Sequence, residues 1–251
     1  MIKMKYVNAG YGKEMVLRDI NLEFDAGQVT VLAGPNGCGK STLLKTLVRM
    51  NSHTDGEIRI LNDRIQDFDS VELAKHVAYL PQNRRTPDIS VFRMVLHGRF
   101  AYLNYPRRYR KEDYEMAEKA LAWVGIEELA EKNVGELSGG TQQKVYIAMA
   151  LAQDTDIILL DEPTTYLDIA HQKKMMELSK ELAKKGKAVV MVLHDLAQAF
   201  QTADKLVIMD KGRVRKVGTP TEVFESGIIE DVFGVKFART KLEGNWRYFS
   251  I

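Results

Sequence analysis

The chain has 251 residues, and 36 Lys and Arg against 34 Asp and Glu give a formal net charge of +2. Hydrophobic residues make up 45% and charged residues 28%, values ordinary for a folded globular protein, so the composition excludes an intrinsically disordered chain. The near-neutral balance lacks the strongly basic character typical of nucleic-acid binding, and no nucleic acid is expected as a partner. Cys38 is the single cysteine, which excludes an intrachain disulfide and fits a reducing cytoplasm.

Membrane insertion is not expected from the sequence. No apolar run approaches the ~20 residues that a membrane-spanning helix needs, and residues 1–5 lack the apolar core of a signal peptide. We therefore expect a protein that works at a membrane, if at all, through a partner.

Four short runs of apolar and β-branched residues predict buried strands. They cover residues 29–33, 77–80, 157–160 and 188–193. Their apolarity is continuous, which is typical of strands covered on both faces by helices in a parallel sheet. The sequence therefore predicts an α/β fold.

A helix is predicted over residues 169–185, because Met175, Leu178 and Leu182 recur at helical spacing and form one apolar stripe. Gly186 follows and is expected to end this helix. A second helical pattern covers 111–124, within a stretch from about 83 to 133 that contains no run typical of a buried strand.

The organisation that we predict is a single domain over residues 1–251, with a helical subdomain at about 83–153 inserted into the core. A hairpin is predicted at 209–214, with Lys-Gly at its turn, and a helix is expected to start at the capping residue Thr219. The final segment, 235–251, is either a closing strand or a contact with a partner.

Residues 34–42 fit the pattern G-x-x-x-x-G-K-[ST], after a predicted strand and before a helical pattern, which is the context that a phosphate-binding loop requires. Glycines let backbone N–H groups surround phosphates, Lys40 can reach the β- and γ-phosphates, and Ser41 can hold Mg²⁺. The residues expected to bind nucleotide here are Asn36, Gly37, Cys38, Gly39, Lys40, Ser41 and Thr42.

The strand at 157–160 runs into two adjacent carboxylates, Asp161 and Glu162. Successive strand residues point to opposite faces, so the two acids need not do the same work. We assign Asp161 to Mg²⁺ and Glu162 to the attacking water. Without a phosphate loop in the chain, the alternative interpretation of the pair is a cap for the next helix.

Residues 137–143, with the sequence LSGGTQQ, precede a helical pattern for which Ser138 is the natural N-cap. Alone, this segment indicates only a capped helix. Its free N–H groups nevertheless form a second helix terminus suited to phosphate, which adds Ser138, Gly139 and Gly140 to the candidate nucleotide contacts.

Together and in this order, these motifs resemble the nucleotide-binding subunit of ATP-binding cassette (ABC) transporters, over nearly the whole chain. The resemblance implies a P-loop NTPase core with a mixed sheet, an N-terminal antiparallel β portion and an inserted helical subdomain. It implies that Tyr11 stacks on adenine and that Gln82 touches Mg²⁺ and the water and links the site to the membrane partner. It further implies that His194 contacts the γ-phosphate and that Asp168 lies in a loop crossing to a second subunit. Without the resemblance, Tyr11 would be a structural aromatic and His194 a core histidine.

Each motif occurs once, and in this family the signature of one copy completes the nucleotide site of another. The resemblance therefore implies a head-to-tail homodimer that sandwiches two ATP molecules, with Glu162, His194, Gln82 and Lys40 as catalytic residues. Residues 147–153, 163–172 and 192–199 resemble importers for iron-siderophores, haem and cobalamin. Permease subunits, and indirectly a solute-binding protein, are then expected partners at the cytoplasmic face of the membrane.

Three questions stay open at this point. The main alternative function is an ABC ATPase that drives no transport, such as one that assembles iron–sulfur scaffolds. The basic cluster at 106–111 is either a solvated loop or a face near anionic lipid or the permease. Cys38 is predicted to be a sensitive thiol, because a helix N-terminus stabilises a thiolate.

Overall fold

The computed structural model describes residues 1–82, 84, 86–242 and 244–251. The strands, in chain order, are β1 (Ile2–Tyr11), β2 (Glu14–Phe24), β3 (Val29–Ala33), β4 (His53–Ile60), β5 (Asp63–Arg64), β6 (Val77–Leu80), β7 (Ile157–Asp161), β8 (Ala188–Val192), β9 (Lys205–Asp210), β10 (Arg213–Gly218), β11 (Phe237–Leu242) and β12 (Asn245–Ser250). The helices are α1 (Lys40–Thr46), α2 (Ser70–His76), α3 (Val91–Leu96), α4 (Lys111–Val124), α5 (Gly139–Ala152), α6 (Ile169–Lys184), α7 (Leu196–Thr202), α8 (Pro220–Glu225) and α9 (Ile228–Phe233). Among the described residues, every helix falls short of the length and apolar content needed to cross a membrane.

The central sheet has the strand order β10-β9-β3-β8-β7-β6. Neighbours from β9 through β6 pair in parallel, and β10 joins the edge as an antiparallel hairpin with β9. Every residue of β3, β7 and β8 is buried, as the continuous apolar runs predicted. The predicted α/β fold with a mixed sheet is confirmed.

The register of the parallel strands brings distant residues to one edge. Leu80 of β6 lies opposite Leu160 of β7, which lies opposite Met191 of β8. Gln82 and Glu162 each follow this row by two residues, and His194 follows it by three. Because parallel strands end at the same edge, the side chains that follow them meet there.

The N-terminal sheet has the order β2-β1-β4-β5 and is antiparallel throughout. Alternate residues at the start of β1, such as Ile2 and Met4, are buried. They share a core with Leu43 and Leu44 of α1 and with one face of the central sheet. This second layer holds α1, and with it the preceding loop, against β3.

The helical part of the chain packs α3, α4 and α5 against each other. Ala117 and Ala120 of α4 are fully buried there, and small side chains allow the helices to approach closely. The predicted start of the subdomain, Asn83, lies outside the described residues, and the boundaries 83–153 stay a prediction.

Arg99 connects these helices through polar contacts. Its Nε donates to Asp113 Oδ1 at 3.0 Å, and its Nη1 donates to the backbone oxygens of Ala152 at 3.0 Å and Gln153 at 3.3 Å. The ion pair is nearly buried, with side-chain exposures of 13% and 6%. Arg99 thus joins the N-terminus of α4 to the C-terminus of α5.

The predicted helix and turn signals are confirmed. Helix α6 matches the predicted 169–185 to one residue, and Gly186 follows it with φ 88°. Lys211 and Gly212 form the turn between β9 and β10 with φ of 47° and 74°. Thr219 and Glu222 form the predicted capping box of α8.

The C-terminal segment forms a strand pair, β11 with β12, rather than an extra strand of the central sheet. Tyr248 is buried, with its ring centroid 4.7 Å from that of Phe200 and 5.5 Å from that of Phe224. Trp246 and Phe249 stay partly exposed on the same hairpin. An aromatic cluster therefore anchors this end of the chain on α7 and α8.

The basic cluster at 106–111 is largely exposed. The guanidinium of Arg107 lies 4.7 Å from the centroid of the Phe100 ring, a cation–π contact. The remaining charges of this loop face solvent, and a contact with lipid or permease stays a prediction.

Replacing Arg99 by Ala is expected to lower the free energy of unfolding by about 3 kcal/mol, because Asp113 loses its partner in a nearly buried position. Urea denaturation followed by circular dichroism measures the change. Lys111→Ala is the control, because the Lys111–Glu115 pair is exposed and its loss is expected to cost less than about 0.5 kcal/mol. Equal effects of the two substitutions would contradict the role given to Arg99.

Candidate nucleotide site

The phosphate-loop motif forms the connection between β3 and α1. Gly37 and Gly39 have φ of 76° and 106°, a region that favours glycine. A Cβ on Gly39 would also lie 2.8 Å from Leu17 Cδ2. These glycines let the loop curl tightly in front of the N-terminus of α1, where backbone N–H groups are free.

Lys40 is 5% exposed, and its ammonium folds back over the loop. Its Nζ donates to the backbone oxygen of Gly34 at 2.7 Å and to that of Pro35 at 3.0 Å. A cleft of about 320 Å³ opens in front of it. The cleft is lined by the predicted residues Asn36, Gly37, Gly39, Lys40, Ser41, Thr42, Gln82, Glu162 and His194, and by Val16, which the sequence reasoning missed.

Asp161 lies at the end of β7, beneath the cleft, and is 1% exposed. Its Oδ1 accepts a hydrogen bond from Ser41 Oγ at 3.0 Å, and its Oδ2 accepts one from Tyr79 Oη at 3.4 Å. Burial, with a smaller contribution from the neighbouring Glu162, raises the pKa of Asp161. A cation beside Ser41 and Asp161 would offset this cost, and hydroxyl and carboxylate oxygens are ligands that Mg²⁺ accepts.

Glu162 is in contact with two other predicted catalytic residues, Gln82 and His194. Gln82 Nε2 donates to Glu162 Oε2 at 2.5 Å, and His194 Nε2 contacts Glu162 Oε1. Thr165 Oγ1 lies 3.4 Å from the same Oε2. Glu162 has φ 53°, an uncommon conformation for a residue with a side chain, and such strain is typical of functional sites. The carboxylate is 8% exposed and faces the cleft.

The signature segment begins α5, with Ser138 as its N-cap: Ser138 Oγ accepts from the backbone N–H of Thr141 at 3.4 Å. It lies in a second groove, of about 230 Å³, lined by Gly139 and, at its border with the main cleft, by Gln82. Ser138, Gly139 and Gly140 do not line the cleft of Lys40. A Cβ on Gly140 would lie 2.9 Å from the backbone oxygen of Tyr166, so this glycine lets the loop that contains Tyr166 approach α5 closely.

Asp168 and Tyr11 also lie outside the main cleft. Asp168 caps α6 by accepting from the backbone N–H of His171 at 2.8 Å. Two apolar side chains flank it in exposed positions, Tyr166 at 78% and Ile169 at 86%. The Tyr11 ring is 40% exposed at the end of β1, and its centroid is 6.0 Å from Lys45 Nζ.

The prediction of a reactive Cys38 is wrong. The side chain is 4% exposed and packs in the core below the phosphate loop. Burial raises the pKa of the Cys38 thiol and outweighs the opposite influence of Lys40. The loop turns this side chain inward, so only the backbone of Cys38 belongs to the loop surface.

Two further contacts were missed because they join residues far apart in sequence. Tyr79 donates a hydrogen bond to Asp161. It is the one polar side chain within the apolar run 77–80, and this hydroxyl was the sequence signal that could have indicated the contact. Arg84 Nη2 donates to Gln143 Oε1 at 2.5 Å, and Gln143 Nε2 donates to the backbone oxygen of Pro163 at 2.8 Å. This chain links the segment after Gln82 to α5 and to the loop after Glu162.

Comparison with known proteins identifies the family. The profile described as "ABC transporter" matches residues 17–165. The petrobactin import ATP-binding protein FpuD of Bacillus anthracis is 42% identical over 92% of this chain and 86% of its own length. The ferric enterobactin transport ATP-binding protein FepC of Escherichia coli K12 is 42% identical over 94% of this chain and 88% of its own.

Solved structures agree. A transporter assigned to the metal-chelate type, in an inward-facing conformation, matches with a TM-score of 0.83 at 26% identity, over all of this chain and 97% of that one. The dimeric cassette MJ0796 bound to ADP and Pi matches with a TM-score of 0.76 at 30% identity, over 88% of this chain and 99% of that one. The chain belongs to the ABC transporter family. The predicted fold and the ATPase function that powers transport are confirmed.

Cys38 is expected to react with maleimide at least about tenfold more slowly in the native chain than in the unfolded chain, because the thiol is buried and its pKa is raised. Mass spectrometry of timed samples measures the rate. A Cys38→Ala chain carrying Lys173→Cys, a position with an exposed side chain, is the control and should react rapidly while folded. Native labelling of Cys38 at the unfolded rate would contradict its burial.

Proposed function

We propose that this chain is the ATP-hydrolysing subunit of an importer for iron-siderophore, haem or cobalamin, bound at the cytoplasmic face of the membrane. The observation that carries the ATPase mechanism is the convergence of Lys40, Ser41, Gln82, Glu162 and His194 on one cleft. Relatives named for petrobactin, ferric enterobactin and iron(3+)-hydroxamate import favour an iron-siderophore among these substrates. They do not favour an ATPase outside transport.

Nucleotide binding uses the loop residues Asn36 to Thr42 and the N-terminus of α1. The Lys40 ammonium leaves the oxygens of Gly34 and Pro35 and turns to the β- and γ-phosphates, exchanging neutral acceptors for charged ones. Tyr11, beside α1, stacks on adenine. Binding therefore needs only local rearrangement of a preformed loop.

Mg²⁺ would be held by Ser41 and Asp161, with Gln82 as a third oxygen ligand. When bound, it supplies positive charge that stabilises the phosphate oxygens. Tyr79 keeps the Asp161 carboxylate oriented toward Ser41. Gln82 would contribute its Oε1, because its Nε2 donates to Glu162.

Hydrolysis depends on Glu162. Its carboxylate accepts a proton from the attacking water while the water oxygen bonds to the γ-phosphorus and the bond to the β–γ bridging oxygen breaks. His194 holds a γ-phosphate oxygen and Lys40 stabilises the developing charge. In the single chain Gln82 contacts one Glu162 oxygen and His194 contacts the other, and the remaining lone pairs of the carboxylate can accept from water.

A homodimer completes the site. Ser138, Gly139 and Gly140 lie apart from the cleft of their own chain, which supports their use on the nucleotide of a second copy. The exposed loop around Asp168 then crosses to that copy. Closure of the dimer moves the permease subunits, and a solute-binding protein delivers the substrate to these permease subunits.

Replacing Glu162 by Gln is expected to lower the ATP hydrolysis rate by about a hundredfold or more, because the water loses its proton acceptor. ATP then accumulates on the protein and holds it as a dimer of the 28.5 kDa chain. Phosphate release and light scattering with ATP measure the two effects. Glu177→Gln, on the exposed face of α6, is the control and should behave as the parent. Turnover by Glu162→Gln at the parental rate removes Glu162 from this role.

Purification of the tagged chain from its native membranes in mild detergent is expected to recover a polytopic membrane protein.

Uptake of ⁵⁵Fe-siderophore by cells lacking the gene, complemented with the parent or with Lys40→Ala, then tests the substrate. The parent should restore uptake and Lys40→Ala should not, since Lys40 serves the phosphates. Recovery without a membrane protein, together with a bound scaffold protein, would favour the alternative ATPase.

A further inference from the structure

The first turn of α6 is joined to the signature helix α5 by a chain of three side chains. Lys144 Nζ lies 2.6 Å from His171 Nε2, and His171 Nδ1 lies 2.7 Å from Asp168 Oδ1. Lys144 belongs to α5, and Asp168 is the N-cap of α6. His171 therefore bridges the helix that starts with the signature and the loop that Asp168 ends.

The chemistry of the two neighbours selects one state of His171. An ammonium group only donates, so Nε2 has to accept and carries no proton. An ionised carboxylate only accepts, so Nδ1 carries the proton, and the N–H groups of His171, backbone first, lower the pKa of the Asp168 carboxyl. Both contacts are satisfied by neutral His171 in its Nδ1–H form.

The bridge lies where the loop and α5 are already in close contact. Gly140, in the first turn of α5, packs beneath the backbone oxygen of Tyr166, two residues before Asp168. Gln172, next to His171, donates to the backbone oxygen of Leu167 at 3.0 Å and accepts from Gln198 of α7 at 2.6 Å. His171 thus connects the loop to α5, which begins with the signature. Gln172 connects the loop to α7, which follows His194.

We propose that His171 is a positioning residue that fixes the Asp168 loop against the signature helix only while it is neutral, so that acidification loosens the loop and slows hydrolysis. The inference rests on the proposed function, because this loop and this helix are the parts assigned to the second copy. It adds a residue that acts through Asp168 and Lys144 and does not touch nucleotide.

The sign of the pH effect follows from the groups that face His171. A proton on Nε2 would point at the Lys144 ammonium, so protonation breaks that contact and adds repulsion. Lys174 adds to the positive charge around Lys144, and Asp168 and Glu128 oppose it. Glu177 and Glu181 line the same surface cavity as Lys144 and His171. The contact with Lys144 is therefore complete while Nε2 is unprotonated and is lost when His171 takes up a proton.

Steady-state ATPase rates of the parent, His171→Gln and His171→Ala from pH 8 to pH 6 test this inference. Glutamine can donate to Asp168 and accept from Lys144 but cannot be protonated, so the ratio of its kcat to that of the parent should rise at least about threefold as the pH falls. Dividing by the parent rate removes any pH dependence that both chains share. His171→Ala should lose about fivefold or more in kcat at pH 8, with KM for ATP changed less than about twofold, because positioning is lost while binding is kept.

Lys173→Gln is the matched control, because Lys173 lies on the exposed face of the same helix and should follow the parent at every pH. A His171→Gln ratio that stays flat with pH, or a His171→Ala chain with parental kcat, would overturn the inference.

A second measurement does not depend on hydrolysis. The chain has five histidines, and ¹⁵N-imidazole NMR of the purified protein, with His171→Gln to assign the signal, reports the protonated nitrogen. The Nδ1–H form is expected for His171, and Lys144→Ala should remove its preference. An Nε2–H form would overturn the bridge, whereas a parent chain without ATPase activity would refute the proposed function and leave this NMR result standing.

Discussion

Parallel pairing of β6, β7 and β8 in register is the constraint on which the site depends. Because Leu80, Leu160 and Met191 form one row, the segments that follow these strands leave the sheet together. Gln82, Glu162 and His194, separated by up to 112 residues (194 minus 82), thereby come into contact. A slip of one residue in any of these strands would turn its side chains to the opposite face and dismantle the site.

The polar and charged groups of the site are paired within the chain before substrate binds. Lys40 donates to backbone oxygens, Ser41 donates to Asp161, and Gln82 and His194 contact Glu162. Lys40, Asp161 and Glu162 are buried, so each of these charged groups would be costly without its partner, whereas Gln82 and His194 are exposed. In the proposed mechanism, nucleotide binding exchanges these internal partners for phosphate, metal and water, so the same cleft is stable when empty and reactive when filled.

The signature helix and the Asp168 loop form a second unit that lies outside this cleft. Gly140 removes the bulk that would separate them, and Lys144, His171 and Asp168 connect them by side chains. Arg84 and Gln143 tie the same helix to the segment after Gln82. The unit that we propose to serve a second copy is thus connected to the residues around Glu162, and motion of one is expected to reach the other.

The sequence by itself determined the fold class, the four buried strands β3, β6, β7 and β8, the β9–β10 hairpin, the helices α4 and α6, the start of α8 and the phosphate loop. These depend on local patterns: apolar runs, capping residues, and glycines at positions with positive φ such as Gly37 and Gly39. Gln82 and His194 were expected only from the resemblance to ABC ATPases. The tertiary structure decided what local patterns cannot carry. The inward orientation of Cys38 reversed its predicted reactivity, because burial and not helix position sets its pKa. The contacts of Tyr79 with Asp161, Arg84 with Gln143 and Lys144 with His171 join residues far apart in sequence, so they exist only once the strands and helices are packed.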